Sequence, residues 1–246
     1  MKKTVLLILI AALIMSLLCG CGSSEETEPQ SGDENGATET TRSPFEPGNT
    51  YIFGKYEQDN DLQNGKEKIE WIILAHEDSK VLLISRYALD CMQYNDRNES
   101  VMWETSPLRR WLNETFIDKA FDSSERSRIL SVNAAAGKNP QYDTNPGNDT
   151  TDRVFLLSID EANEYFEYNE DRKCAPTKYA AAQGAYTTDK YKKDSNDTCV
   201  WWLRSPGAYS YYAATVYHDG SVQNVGSNAH SIDCAVRPAI WIDLLH

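Results

Sequence analysis

The chain has 246 residues, of which 41% are hydrophobic, enough apolar side chain to enclose a core. Lys and Arg total 24 against 37 Asp and Glu, a formal charge of -13. No basic run is long enough to follow a phosphate backbone, which excludes nucleic acid as the expected partner.

Residues 1–20 read as an export leader. Lys2 and Lys3 form a positive n-region, and residues 5–15 are an almost unbroken apolar run with no acid beside it. The run is shorter than the roughly twenty apolar residues a membrane-spanning helix needs. It ends in Leu18-Cys19-Gly20-Cys21, which resembles the bacterial lipobox. That resemblance implies cleavage before Cys21 and lipidation of its thiol. Two acyl chains on one residue hold a protein stably on a bilayer without a spanning helix, so the expected location is the outer side of a bacterial cell membrane. Residues 21–47 then form a tether of Ser, Thr, Glu, Gly and Pro. Glu25, Glu26, Glu28, Asp33, Glu34 and Glu39 face only Arg42 there, a composition that stays extended and cannot bury a core.

Residues 48–246 carry no repeat and no second low-complexity stretch, which suits one domain. Strands are predicted over 51–56, 69–75 and 81–85, turning at Asn64-Gly65 and Glu77-Asp78-Ser79, as an antiparallel meander. Ser106-Pro107 signals a helix start, with Leu108, Trp111, Leu112 and Phe116 on one apolar face. Asp122 with Glu125, and Ser158 with Glu161, have capping-box spacing, predicting helices over 123–130 and 159–166. Residues 137–152, rich in Asn, Asp, Pro and Gly, read as a surface loop. Strands return over 199–204, 213–218 and 221–225, across an Asp219-Gly220 turn, and over 235–242. Strands at both ends with helices between them make an α+β domain in which the first and last strands are expected to pair.

Several motifs in fixed order carry a resemblance that covers nearly everything after the tether. They are Phe53-Gly54, Ile69-Glu70-Trp71, Leu82-Leu83-Ile84-Ser85, Trp103 followed by residues 106–113, and Val154-Phe155-Leu156-Leu157-Ser158. The same set continues with Trp201-Trp202-Leu203-Arg204-Ser205-Pro206-Gly207 and Val236-Arg237-Pro238-Ala239-Ile240-Trp241-Ile242. Together they resemble a bacterial family of extracytoplasmic domains, domain of unknown function 6273. That family in turn resembles, more distantly, the formylglycine-generating-enzyme and sulfatase-modifying variant of the C-type lectin fold. The implied fold is a C-type-lectin-like α+β body with a loop-rich face, the Trp-Trp-Leu-Arg and Val-Arg-Pro segments being paired strands beneath it. The chemistry does not come along. Closely spaced active-site cysteines of the oxidase type are missing, and so are the Glu-Pro-Asn, Gln-Pro-Asp and Trp-Asn-Asp motifs of calcium-dependent sugar binding.

Four cysteines remain after Cys21. In an exported chain an even number favours disulfides, and the lack of CxxC spacing disfavours zinc. Cys199 with Cys234 and Cys91 with Cys174 are the expected pairs, since the first brackets the terminal strands; buried free thiols are the alternative. Tyr209, Tyr211, Tyr212 and Tyr217, with His218, Asn224, Asn228 and His230, form the candidate binding set, because tyrosines give rigid area with a polar tip and amides give hydrogen bonds. Tyrosines that merely cover a sheet are the competing reading. Trp201, Trp202 and Trp241 are expected in the core, and Arg204 and Arg237 in internal hydrogen bonds.

No cofactor is expected, with structural calcium the one ligand left open. Residues 59–70 have acids at EF-hand places, but Gly65 is displaced and belongs to a hairpin turn. Asp143, Asn145, Asn148, Asp149 and Asp152 read as a solvated loop. None of His76, His218, His230 and His246 sits in a nucleophile motif, so no pattern supports catalysis. The leading expectation is a lipid-anchored binding module for a glycan, peptide or partner protein. A cell-envelope enzyme on the same fold and a structural subunit of a surface assembly are its competitors.

Overall fold

The computed structural model describes residues 43–187 and 198–245. The leader, Cys21 and residues 21–42 of the tether lie outside the described residues, as does His246. No helix among the described residues is long and apolar enough to cross a membrane.

The opening meander forms as the strand-like segments and turn signals predict: β1 (Thr50–Tyr56), β2 (Glu67–Glu77) and β3 (Lys80–Ser85), with Tyr51 opposite Trp71 and Ile72 opposite Ile84. Val81 to Ser85 are all buried, because β3 is covered on both faces and a two-residue period has no exposed side to show. A two-residue strand, β4 (Asp90–Cys91), follows.

Ser106 caps the first helix as expected, accepting the Arg109 N–H at 3.4 Å. This helix, α1, runs through Pro107–Trp111, a π-helical stretch Leu112–Phe116, and Ile117–Ala120. The widening has a local cause. The Asn113 side-chain amide donates to the Arg109 carbonyl at 3.0 Å and the Val154 carbonyl at 2.8 Å, displacing the helix's own ladder bond and tying α1 to β7 (Val154–Phe155). Both capping boxes form, opening α2 (Ser123–Arg128) and α3 (Ile159–Glu164). The polar loop contains one unexpected element: β6 (Thr150–Asp152) pairs with β5 (Val132–Ala134). Two short helices, α4 (Asn169–Arg172) and α5 (Lys178–Ala182), precede the terminal strands.

These are β8 (Trp201–Pro206), β9 (Tyr212–Val216), β10 (Val222–Asn228), β11 (Ala235–Val236) and β12 (Ala239–Asp243). The strands form two five-stranded sheets, in the orders β1-β2-β3-β12-β7 and β10-β9-β8-β11-β4, besides the β5-β6 pair. The predicted last strand is therefore two strands. Arg237-Pro238 breaks it and carries the chain from one sheet to the other, since proline cannot donate to a ladder. The last strand does join the opening meander, but through β3 and not β1: Ile240 lies opposite Leu83. β8 and β11 pair in parallel at Trp201 and Ala235. Pairing between the named strands is otherwise antiparallel, and the whole is an α+β fold.

The core contains Trp71, Trp103, Trp201 and Trp202, all fully buried. Adjacent Trp201 and Trp202 point to opposite faces of β8, and both faces are covered. Their indole N–H groups donate to the Arg172 carbonyl at 3.2 Å and the Met92 carbonyl at 2.9 Å. Trp241 departs from expectation: it is half-buried, with the Lys80 ammonium 4.5 Å above its ring.

Candidate binding face

β8 ends at Pro206, and a five-residue loop returns the chain to β9. Backbone bonds from Gly207 to Tyr212 and from Tyr212 to Tyr209, both 2.9 Å, close this turn tightly. The consequence is a compact aromatic cluster. Tyr209 and Tyr211 stack with centroids 5.7 Å apart and 18° between planes, and Tyr212 stands edge-on to them at 5.2 and 5.1 Å. Tyr209 is 54% and Tyr211 39% exposed.

Neighbouring loops hold the cluster in place. The Val101 N–H donates to the Ser210 carbonyl at 2.9 Å, and the Ser100 and Ser210 hydroxyls meet at 2.7 Å. Asn228, opposite Tyr212 in the β9–β10 ladder, donates to Asn98 Oδ1 at 3.0 Å and accepts the His230 N–H at 2.9 Å. Gln93 Nε2 reaches both the carbonyl and Nδ1 of His230, at 2.7 and 2.8 Å. Nδ1 also lies 3.3 Å from the Asn95 carbonyl, so the ring is held by partners on that side while remaining exposed.

The predicted binding set is thus divided. Tyr209, Tyr211, Tyr212, Asn228 and His230 converge on one face. Tyr217 and His218 pack together, centroids 4.2 Å apart, beyond the other end of β9. Five strand residues at about 3.3 Å each put them roughly 16 Å away. Asn224 sits within β10, its carbonyl receiving Asn139 Nδ2 at 2.7 Å and its own Oδ1 buried without a partner. Sequence reasoning missed Gln93, Asn98, Ser100 and Ser210. The first three lie more than a hundred residues before their partners, and only the polar composition of 93–100 marks them.

Residues 78–244 match the family model described as Domain of unknown function (DUF6273). The chain belongs to this family. No curated protein and no solved structure matches it. The DUF6273 match includes the whole tyrosine face and all four buried cysteines, and it begins after β1 and β2.

The cysteines need correction. Cys91, Cys174, Cys199 and Cys234 are free, buried thiols, and neither expected disulfide is present. Strand register also groups them differently. Cys91 lies opposite Ala235 and its Sγ contacts the Cys234 carbonyl at 3.3 Å, while Cys199 N–H and Sγ both donate to the Cys174 carbonyl, at 2.8 and 3.3 Å. Burial pushes the Cys91 thiol up to about 12 and Cys234 higher still. At Cys174 burial acts the same way but is opposed by the Cys199 hydrogen bond and the Arg237 charge, which lower this thiol while its neighbour Cys199 is raised.

Both arginines are internal, as expected. Arg237 lies between the Trp201 and Phe166 rings, at 5.0 and 5.5 Å, and donates to the Ser85 and Arg172 carbonyls. Two acids of the polar loop are engaged within the fold. Asp149 accepts the Ala136 N–H at 2.8 Å and Asn133 Nδ2 at 3.1 Å, which lowers its carboxyl below the usual range. Asp152 is buried and takes Arg109 Nε, Trp103 Nε1 and the Thr150 hydroxyl at 2.6, 2.8 and 2.7 Å. Of the histidines, His76 meets the Asp78 carbonyl, His218 packs on Tyr217 and His230 serves the face described above.

Proposed function

We propose that this chain is a lipid-anchored extracytoplasmic binding module, and that its tyrosine face, on a C-type-lectin-like body of the formylglycine-generating-enzyme type, engages a glycan, peptide or partner protein. The observation that carries the reading is the stacked, exposed Tyr209–Tyr211 pair ringed by hydrogen-bonding groups from three separate loops. Saccharide rings present an apolar face and a hydroxyl edge, and a flat aromatic pair beside Asn228 and the His230 ring complements both, so a glycan suits the face best. The α+β body, its antiparallel sheets and the β8–β11 pairing support the lectin-like assignment. The lipobox resemblance at Cys21 supports the anchor.

Binding is tested by screening the full chain, in detergent, against a glycan array. Tyr209→Ala and Tyr211→Ala are each expected to weaken a retained glycan by about 2 kcal/mol, roughly 30-fold, with melting lowered little because neither ring belongs to the buried core. Loss of binding only alongside loss of folding would count against the face. The anchor has its own test. Cells fed labelled palmitate should mark the chain, and a Cys21→Ser form should lose both the label and co-sedimentation with membranes. Equal labelling of the two forms would remove the anchor from this reading.

A further inference from the structure

The turn between β1 and β2 gathers three carboxylates. Glu57 follows the last residue of β1, Asp59 lies two residues on, and Glu67 opens β2 opposite Tyr56. Their oxygens all lie within 4.8 Å of one another. Two oxygens on one calcium ion, each about 2.4 Å from it, can be no further apart than about that distance. Two of the three are oriented by the turn itself. Glu67 Oε2 accepts the Gln58 and Asp59 N–H groups at 2.7 and 3.3 Å, and Asp59 accepts the Asp61 N–H and Asn64 Nδ2, both at 2.8 Å.

Glu57 differs. It is only 9% exposed, and its Oε1 is buried with no hydrogen-bond partner. A buried carboxylate oxygen left without a donor, beside two further carboxylates, is unfavourable unless something positive completes the group.

We propose that Glu57, Asp59 and Glu67 bind a divalent cation of the calcium class. Calcium fits better than magnesium because the three oxygens come from an irregular turn, and calcium accepts six to eight oxygens in flexible geometry, whereas magnesium demands a tight octahedron. Water would supply the remaining ligands. The ligands do not follow the EF-hand order that residues 59–70 superficially present. Glu57 precedes that window, and Glu70 pairs with Arg86 at 3.0 Å. The site lies outside the DUF6273 match and is independent of the tyrosine face.

The test is calorimetric titration of the full chain, in detergent and freed of metal by chelator, with calcium and separately with magnesium, together with thermal melts. One calcium per chain is expected, with Kd on the order of 10⁻⁴–10⁻³ M, the range of extracellular modules. Magnesium should bind at least tenfold more weakly, and calcium should raise the melting midpoint. Glu57→Gln and Glu67→Gln should each weaken calcium at least tenfold. Without metal, Glu57→Gln should melt no lower than the unaltered chain, because it removes one of three crowded negative charges. Absence of saturable calcium binding, or binding unchanged in both variants, would overturn the proposal. So would a marked drop in the metal-free midpoint of Glu57→Gln, since that would show that the charge is already balanced within the fold.

Discussion

Replacing Arg204 by alanine is expected to destabilise the domain by about 3 kcal/mol, the lower end of the cost of breaking a buried ion pair from one side, because Glu161 keeps 27% of its side chain in solvent. For a domain of this size that lowers the thermal midpoint on the order of 10 °C. Arg204 is 3% exposed and lies in β8, the central strand of its sheet. Its guanidinium reaches the Ala135 carbonyl at 3.1 Å, the Leu156 carbonyl at 2.8 Å and both carboxylate oxygens of Glu161. Glu161 is also the third residue of α3, where Oε2 accepts the Ser158 N–H in the capping box. One side chain therefore joins the central strand, the start of a helix and two loop carbonyls. Alanine would leave all of these acceptors short of a donor at once. Arg204→Lys tests the geometry: lysine keeps the charge but lacks the planar fork, so it should recover less than half of the loss. A chemical-denaturation series on the three forms measures the order. Equal stability of the lysine form and the unaltered chain would show that charge, and not the fork, is what the site needs.

How much of this was legible beforehand depends on whether the information was local. The β1–β3 meander could be read because its apolar segments and their turn signals, Asn64-Gly65 and Glu77-Asp78-Ser79, are neighbours in the chain. Both capping boxes could be read because their partners are three residues apart. The two-residue strands β4, β7 and β11 are too short to show any period, and β5 and β6 find each other across a polar loop that hides their pairing. The tyrosines illustrate the same limit. Residues 209–217 are contiguous in the chain, but β9 separates Tyr209, Tyr211 and Tyr212 from Tyr217 and His218 by its full length. The face is completed by Gln93 and Asn98, which no spacing connects to it. Cysteine grouping likewise follows strand register: Cys91 lies opposite Ala235, next to Cys234, and not beside Cys174. An unpartnered oxygen such as Glu57 Oε1 leaves no mark in sequence, where Glu57 is one acid among 37.

The binding face also depends on a backbone feature, which makes Gly226→Ala the second large effect. In β10 the ladder runs regularly through Val222 and Gln223, shifts register, and resumes with Ser227 opposite Ala213 and Asn228 opposite Tyr212. Gly226 sits in that irregularity with φ of 73°, a left-handed conformation that costs a non-glycine residue about 1–2 kcal/mol. It is also pressed against its partner strand. A Cβ there would lie 2.1 Å from the Ala213 carbonyl oxygen, which is backbone and cannot rotate away. That strain and an overpacking cost of about 1–3 kcal/mol add, so a loss of about 2–5 kcal/mol is expected. Gly65→Ala separates the two contributions. Gly65 has φ of 98° but nothing within 4 Å of where an added methyl would sit, so its variant should lose only the conformational part. Because relief at Gly226 requires β10 to move away from β9, Asn228 should also leave Tyr212, and amide exchange should quicken around 227–230 while β1–β3 stays protected. A Gly226→Ala form as stable as the Gly65→Ala form, with exchange at 227–230 unchanged, would show that the close approach of β10 to β9 does not hold the tyrosine face in place.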